Sequence, residues 1–153
     1  SDTTHFSWRN GNVSVYKALN HQHVTEIKQN IKKSSHDFDS ELHFVPMRGN
    51  FTRGIFISAY TKSDISLENA QSLFKEFYSV SPFVYPSPDP LHLKQVINTN
   101  KCLLHLQKKN GQLLITSIID NLLKGASGQA LQNMNLMFGL DETNGLLLKP
   151  IHF

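Results

Sequence analysis

This sequence has one cysteine, one tryptophan and no long run of apolar residues. The lone thiol, Cys102, excludes an internal disulfide, and such sparing use suits a reducing compartment and a cytoplasmic location. No apolar stretch approaches the roughly 20 residues needed to span a bilayer as a helix, so a membrane partner is not expected. No repeat and no low-complexity segment is present, which sets aside solenoids and fibrous arrays. Neither charge sign dominates: the net charge is +3 and the pI about 9.0. The lysines are scattered, with adjacent pairs only at Lys32-Lys33 and Lys108-Lys109. Basicity this diffuse suits a solvated surface or attraction for anionic small molecules better than nucleic-acid binding. The start, Ser1-Asp2-Thr3-Thr4, has neither a methionine nor a basic-then-apolar leader, so the expectation is a piece of a longer protein.

What is present reads as one domain over 1–153. Hydrophobic residues make up 39% and charged residues 18% of 153. That composition and length suffice for a buried core without staples. Val13 to Tyr16 alternates as a short strand. Val24, Ile27 and Ile31 recur at helical spacing over 21–33. Leu42 to Met47 and Ile55 to Thr61 read as strands joined by a loop containing Gly49 and Gly54. Ser66 is placed to cap a helix with the apolar face Leu67, Ala70, Leu73, Phe74 and Phe77. Ser81 to Pro90 carries four prolines and must run largely extended. Cys102–Gln107 and Leu113–Ile119 flank Asn110-Gly111, a strong hairpin signal. A last helix is expected from about Ala126 to Phe138, stopping at Gly139, with 145–153 as a tail. The fold class that follows is α+β, a mixed or antiparallel sheet with helices on one face.

Two constellations carry chemistry. His21-Gln22-His23-Val24-Thr25-Glu26 puts two imidazoles and a carboxylate where a strand region gives way to a helix. Such a group suits proton transfer near neutral pH. An ordinary helix start with an acidic first turn, or a weak metal site, fits the same pattern. Two histidines and one distant cysteine make a poor zinc set, so no metal is assigned. The second constellation is Asp120 to Asn133. A glycine-rich helix start beside Lys124 offers free N–H groups, partial positive charge and close backbone approach. A phosphate or polar cofactor head would suit it, as would plain close packing of helix on sheet. Arg53-Gly54 could hold a carboxylate or phosphate, or be an exposed surface arginine. Cys102, in an apolar alternation with no basic neighbour, reads as a packed thiol rather than a nucleophile.

The stretch Asp120-Asn121-Leu122-Leu123-Lys124-Gly125-Ala126-Ser127-Gly128-Gln129-Ala130-Leu131-Gln132-Asn133-Met134 resembles the C-terminal signature of the N-acetyl-γ-glutamyl-phosphate reductase family. Its Asp-Asn-Leu-x-Lys-Gly-Ala core is also similar to that of aspartate-semialdehyde dehydrogenases. His21-x-His23-x-x-Glu26-Ile27, Val45-Pro46-Met47, Arg53-Gly54-Ile55, Asn100-x-Cys102 and Gly145-Leu146 look like further family motifs. Thr25 stands where the family often has proline, and 48–52 is longer than the common form. The resemblance implies a catalytic and dimerisation domain with a glyceraldehyde-3-phosphate dehydrogenase-like C-terminal fold. The nucleotide-binding domain and the nucleophilic cysteine would lie upstream of this chain, which alone would be inactive.

By the same resemblance the substrate is a small acyl phosphate. It is reduced with NADPH, the product being NADP and N-acetyl-glutamate semialdehyde, in arginine biosynthesis. His21 is then the general acid or base, with His23 and Glu26 shaping its surroundings. Arg53 holds the substrate, and Asn121, Lys124 and Gly125 meet the nicotinamide end of a cofactor bound mainly elsewhere. The expected partner is a second copy of the chain, as a dimer. Competing readings are a related aspartate- or lysine-pathway semialdehyde dehydrogenase, and a non-catalytic dimerisation module that kept the fold.

Overall fold

The computed structural model describes residues 5–150, which fall into two compact units divided between residues 52 and 53. In the first, a one-turn helix α1 (Phe6–Arg9) precedes strand β1 (Ser14–Val15). Helix α2 (His23–Ser34) follows, and then strand β2 (Met47–Arg48). β1 and β2 pair antiparallel, with Ser14 opposite Arg48 and Val15 opposite Met47. The helix forms where the spacing of Val24, Ile27 and Ile31 predicts it, and Lys32 and Lys33 in its last turn complement the helix dipole.

The strand expected over 42–47 is a correction: only Met47 and Arg48 pair as strand. Lys17 and Leu19 adopt φ of 45° and 59°, which turns β1's chain away after Tyr16. Pro46 has no N–H to donate. Two backbone bonds, Tyr16 N–H to Pro46 and Leu19 N–H to Phe44, hold the remainder.

The second unit is built on a sheet of order β3-β6-β5-β4. Its strands are β3 (Ile55–Lys62), β4 (Val84–Pro86), β5 (Cys102–Lys109) and β6 (Gln112–Ile119). β6 runs antiparallel to both β3 and β5, while β4 joins β5 in parallel. The mixed, largely antiparallel sheet expected from the sequence is therefore present. Asn110 and Gly111, at φ 50° and 74°, make the β5–β6 turn; both central residues sit at positive φ, the geometry that matches strand twist. The proline-rich segment contains β4, which the prolines concealed. Pro86 is tolerated because β4 is an edge strand, and Phe83 and Ser87 carry the bonds to β5 on either side.

Helix α3 (Leu67–Phe77) is capped by Ser66, whose hydroxyl accepts from the Asn69 N–H at 3.1 Å. Its Ala70 packs with Leu106 and Leu113, surrounded by Ile65, Leu67, Phe74 and Ile115. The register puts Leu106 opposite Ile115 and Lys108 opposite Leu113, so this face of the hairpin meets α3. Each large apolar side chain buried there contributes about 1.5–3 kcal/mol.

The last helix differs from expectation at its start. α4 (Gly128–Met137) continues from a π-helical turn over Leu123–Ser127, so Gly125 and Gly128 lie inside one helical run. Gly125, Ser127 and Gly128 donate to carbonyls five residues back, at Asp120, Leu122 and Leu123. Gly128 is required by packing: a Cβ there would lie 1.7 Å from the Asn100 Oδ1. The helix ends with Gly139 at φ 66°, as its position predicts. The expected tail also begins inside the fold. Leu146 is buried, and the Asn100 and Asn135 side-chain amides donate to the carbonyls of Leu146 and Asn144.

Candidate functional site

In the first unit, the turn through Lys17 and Leu19 delivers His21 to the start of α2. The His21 and His23 rings meet edge-on at 4.5 Å between centroids. Tyr16 stands edge-on to His21 at 5.6 Å, and Phe44 lies 5.3 Å from it. The His23 backbone N–H donates to the His21 Nδ1 at 3.2 Å. The neutral imidazole therefore carries its proton on Nε2. Desolvation, then His23 and the Lys17 ammonium, hold the His21 imidazole below its ordinary value, against the opposing charge of Glu26. Glu26 sits in the first turn of α2 and, among the described residues, hydrogen-bonds to neither imidazole.

Arg48, across the ladder from Ser14, lays its guanidinium over the Tyr16 ring at 4.3 Å. Among the described residues the ion pairs are His43 with Glu41 and Arg53 with Asp120, so Arg48 faces no carboxylate. Tyr16, Phe44 and Arg48 are functional candidates that the sequence reading missed. Tyr16 is near His21 in the chain, whereas Phe44 and Arg48 come to this cluster through the non-local bonds of 14–19 with 44–48.

In the second unit, the hub is Asp120. Its side chain is fully buried and its two oxygens accept four hydrogen bonds. Arg53 reaches both oxygens at 3.0 Å, and the Leu122 and Leu123 N–H groups donate to Oδ1. The Asn98 N–H donates to Oδ2 at 2.7 Å. Burial pushes the Asp120 carboxyl up, but the N–H donors of Asn98, Leu123 and Leu122 and the Arg53 guanidinium outweigh it and hold it below the usual carboxylate range. The second terminal nitrogen of Arg53 donates to the Asn98 Oδ1, and its Nε is buried without a partner among the described residues. Next to the hub, the Asn121 Oδ1 accepts from the Gly54 N–H at 2.7 Å. Gly54 has φ 112°, and a Cβ there would meet Leu93 at 2.7 Å, so this strand entry demands glycine.

These contacts change what the helix start can offer. The helical run starts earlier than expected, its first N–H groups, of Leu122 and Leu123, donate to Asp120, and Gly125, Ser127 and Gly128 donate to carbonyls five residues back. The Lys124 ammonium donates to Gln129 at 2.9 Å and Gln132 at 2.6 Å, and lies 5.6 Å from the centre of the Phe83 ring. Burial pushes its pKa down, opposed by Cys102 and Glu142. Gly125, Ala126 and Ser127 remain exposed and small. Cys102 is half-buried, its Sγ 3.5 Å from the Ser117 hydroxyl.

The structure thus groups His21 with His23, and Arg53 with Asn121 through Asp120 and Gly54. Among the described residues no helix is long and apolar enough to cross a membrane.

Comparison with known proteins agrees with this architecture. The chain is 59% identical to the N-acetyl-gamma-glutamyl-phosphate reductase of Christiangramia forsetii over 153 residues, all of this chain and 48% of that protein. It is 58% identical to the reductase of the same name from Flavobacterium johnsoniae over 153 residues, all of this chain and 47% of that protein. For the Bacteroides thetaiotaomicron protein of that name the identity is 56% over 151 residues, 99% of this chain and 47% of the relative. The chain spans about half the length of these curated relatives. The family described as semialdehyde dehydrogenase, dimerisation domain, matches residues 1–121. The chain belongs to that semialdehyde dehydrogenase dimerisation-domain family.

Proposed function

We propose that this chain is the catalytic and dimerisation part of an NADP-dependent N-acetyl-γ-glutamyl-phosphate reductase of the cytoplasm. The enzyme reduces its acyl phosphate to N-acetyl-glutamate semialdehyde in arginine biosynthesis. The observation that carries the reading is His21, an imidazole whose pKa is held below its ordinary value, framed by aromatic rings, with its Nδ1 accepting from the His23 N–H. A thioester route needs a thiolate, supplied in this reading from outside the chain, and proton support for the oxygen of each tetrahedral centre. With Nδ1 engaged, His21 presents Nε2–H to that oxygen, and His23 and Glu26 set its charge.

NADPH supplies a hydride when bound. The residues near Asn121 fit its neutral carboxamide end better than its phosphates. Among the described residues, Asn121 has an amide N–H group to spare beyond its Gly54 contact, and the exposed Gly125-Ala126-Ser127 edge leaves room for close approach. Lys124, tied to two glutamines, orders this edge.

Self-association follows from β3. It is an edge strand with all eight residues exposed, among them Ile55, Phe56, Ile57 and Tyr60. An exposed apolar edge of this kind needs cover, and a second copy provides it.

The test is steady-state kinetics of the complete enzyme on N-acetyl-γ-glutamyl phosphate, on aspartyl phosphate and on a lysine-pathway analogue. The first should be preferred, and His21→Ala should lower turnover about a hundredfold or more. Preference for aspartyl phosphate would move the protein to the related dehydrogenases. Near-normal turnover without the imidazole would remove His21 from the chemistry.

A further inference from the structure

We propose that Arg48, rather than Arg53, receives the anionic group of the substrate beside His21. The proposal takes the nature of the substrate from the reductase reading and the residue from geometry. Two arginines lie five positions apart, and their surroundings are opposite. Both terminal nitrogens of Arg53 are engaged, one with Asn98 and one with Asp120. Turning that fork toward a ligand would leave a fully buried carboxylate unpaired, which proteins do not tolerate well.

Arg48 carries no such obligation. Its guanidinium lies against the Tyr16 ring, and among the described residues no carboxylate pairs with it. Contact with the ring restrains the guanidinium, and among the described residues its N–H groups make no hydrogen bond, which leaves donors for a carboxylate or phosphate. Tyr16 is shared: Arg48 covers its face, and His21 stands edge-on to it at 5.6 Å. Arg48 and His21 therefore pack on one and the same tyrosine. Lys17, next in the chain, adds a second cation whose charge is felt at His21, with Glu26 the opposing carboxylate. The local excess of positive charge suits an acyl phosphate that also bears a carboxylate.

The decisive experiment compares Arg48→Lys, Arg48→Met and Arg53→Lys in the complete enzyme. Arg48→Met should raise the KM for the acyl phosphate about tenfold or more, and Arg48→Lys several-fold, with NADPH affinity from fluorescence titration within about twofold of wild type. A second readout needs no turnover. The His21 and His23 imidazole signals are followed by NMR during titration with inorganic phosphate and with N-acetylglutamate. Wild type should show saturable shifts, and Arg48→Met should weaken that binding about tenfold. If the methionine variant does not fold, the lysine variant, which keeps charge and stem, decides by the same two measures. Unchanged KM and unchanged anion affinity overturn the proposal. So does a rise in substrate KM that appears with Arg53→Lys and not with Arg48→Lys, or failure of wild type to bind either probe. Absence of wild-type turnover on any acyl phosphate would instead sink the reductase reading, and the titrations would still judge Arg48.

Discussion

The two units hold their chemistry by different means. No residue from 5 to 52 is buried, and the histidine group there is positioned by ring contacts, a two-residue ladder and a few backbone bonds. In the second unit the core includes Phe83, Val96, Leu106 and Ile118, and the Asp120 hub sits fully buried among its donors. The contrast is between an exposed candidate site and a scaffold whose charges are fixed by desolvated pairing. It also separates two arginines that look alike on paper. Arg53 is structural in its contacts, and Arg48 is open.

The largest test of this contrast is Asp120→Ala. It strands the Arg53 guanidinium and three backbone N–H groups, and should cost about 3–5 kcal/mol in denaturant unfolding. A loss below about 1 kcal/mol would mean that the hub is not what holds Arg53. Next in size is a matched pair of apolar truncations. Leu106→Ala, in the core, should cost about 2–5 kcal/mol. Ile27→Ala, on half-buried α2, should cost less, near 1 kcal/mol. Equal losses would erase the difference between the units.

The pH dependence sharpens the same point. Asp120 has a depressed pKa in the folded state. Its contribution is therefore complete above the unfolded value of about 3.9 and declines as pH falls toward and through the lower folded value. Urea unfolding between pH 6 and 2 should show this decline, and Asp120→Asn should flatten it. The smallest expected effect is on cofactor contact: Lys124→Ala in the complete enzyme should weaken NADPH binding by a few-fold, since the lysine orders the Gly125 edge through Gln129 and Gln132. Unaltered affinity would detach Lys124 from that edge.

Much of the fold was legible because its signals are local. The Ser66 cap, the Asn110-Gly111 turn, the spacing of α2 and α3 and the stop at Gly139 each depend on a few neighbouring residues. The misses share one cause. The 42–46 segment lost its strand to a turn at Lys17 and Leu19, and β4 lay hidden in a proline run that an edge position tolerates. Each was settled by a partner far away in the chain. The candidate sites divide in the same way: the histidine segment and the Asp120–Gly125 stretch are continuous in sequence, whereas Phe44 and Arg48 join the cluster around Tyr16 and His21 only through contacts distant in the chain.

By itself the sequence determined the local elements and the candidate residues they carry, since caps, turns and periodicity act over a few residues. Only the tertiary structure decided which charges are committed and which are available. A guanidinium's partner depends on what folding brings beside it, and desolvation makes a buried pairing all but obligatory while leaving a stacked, open one free to bind.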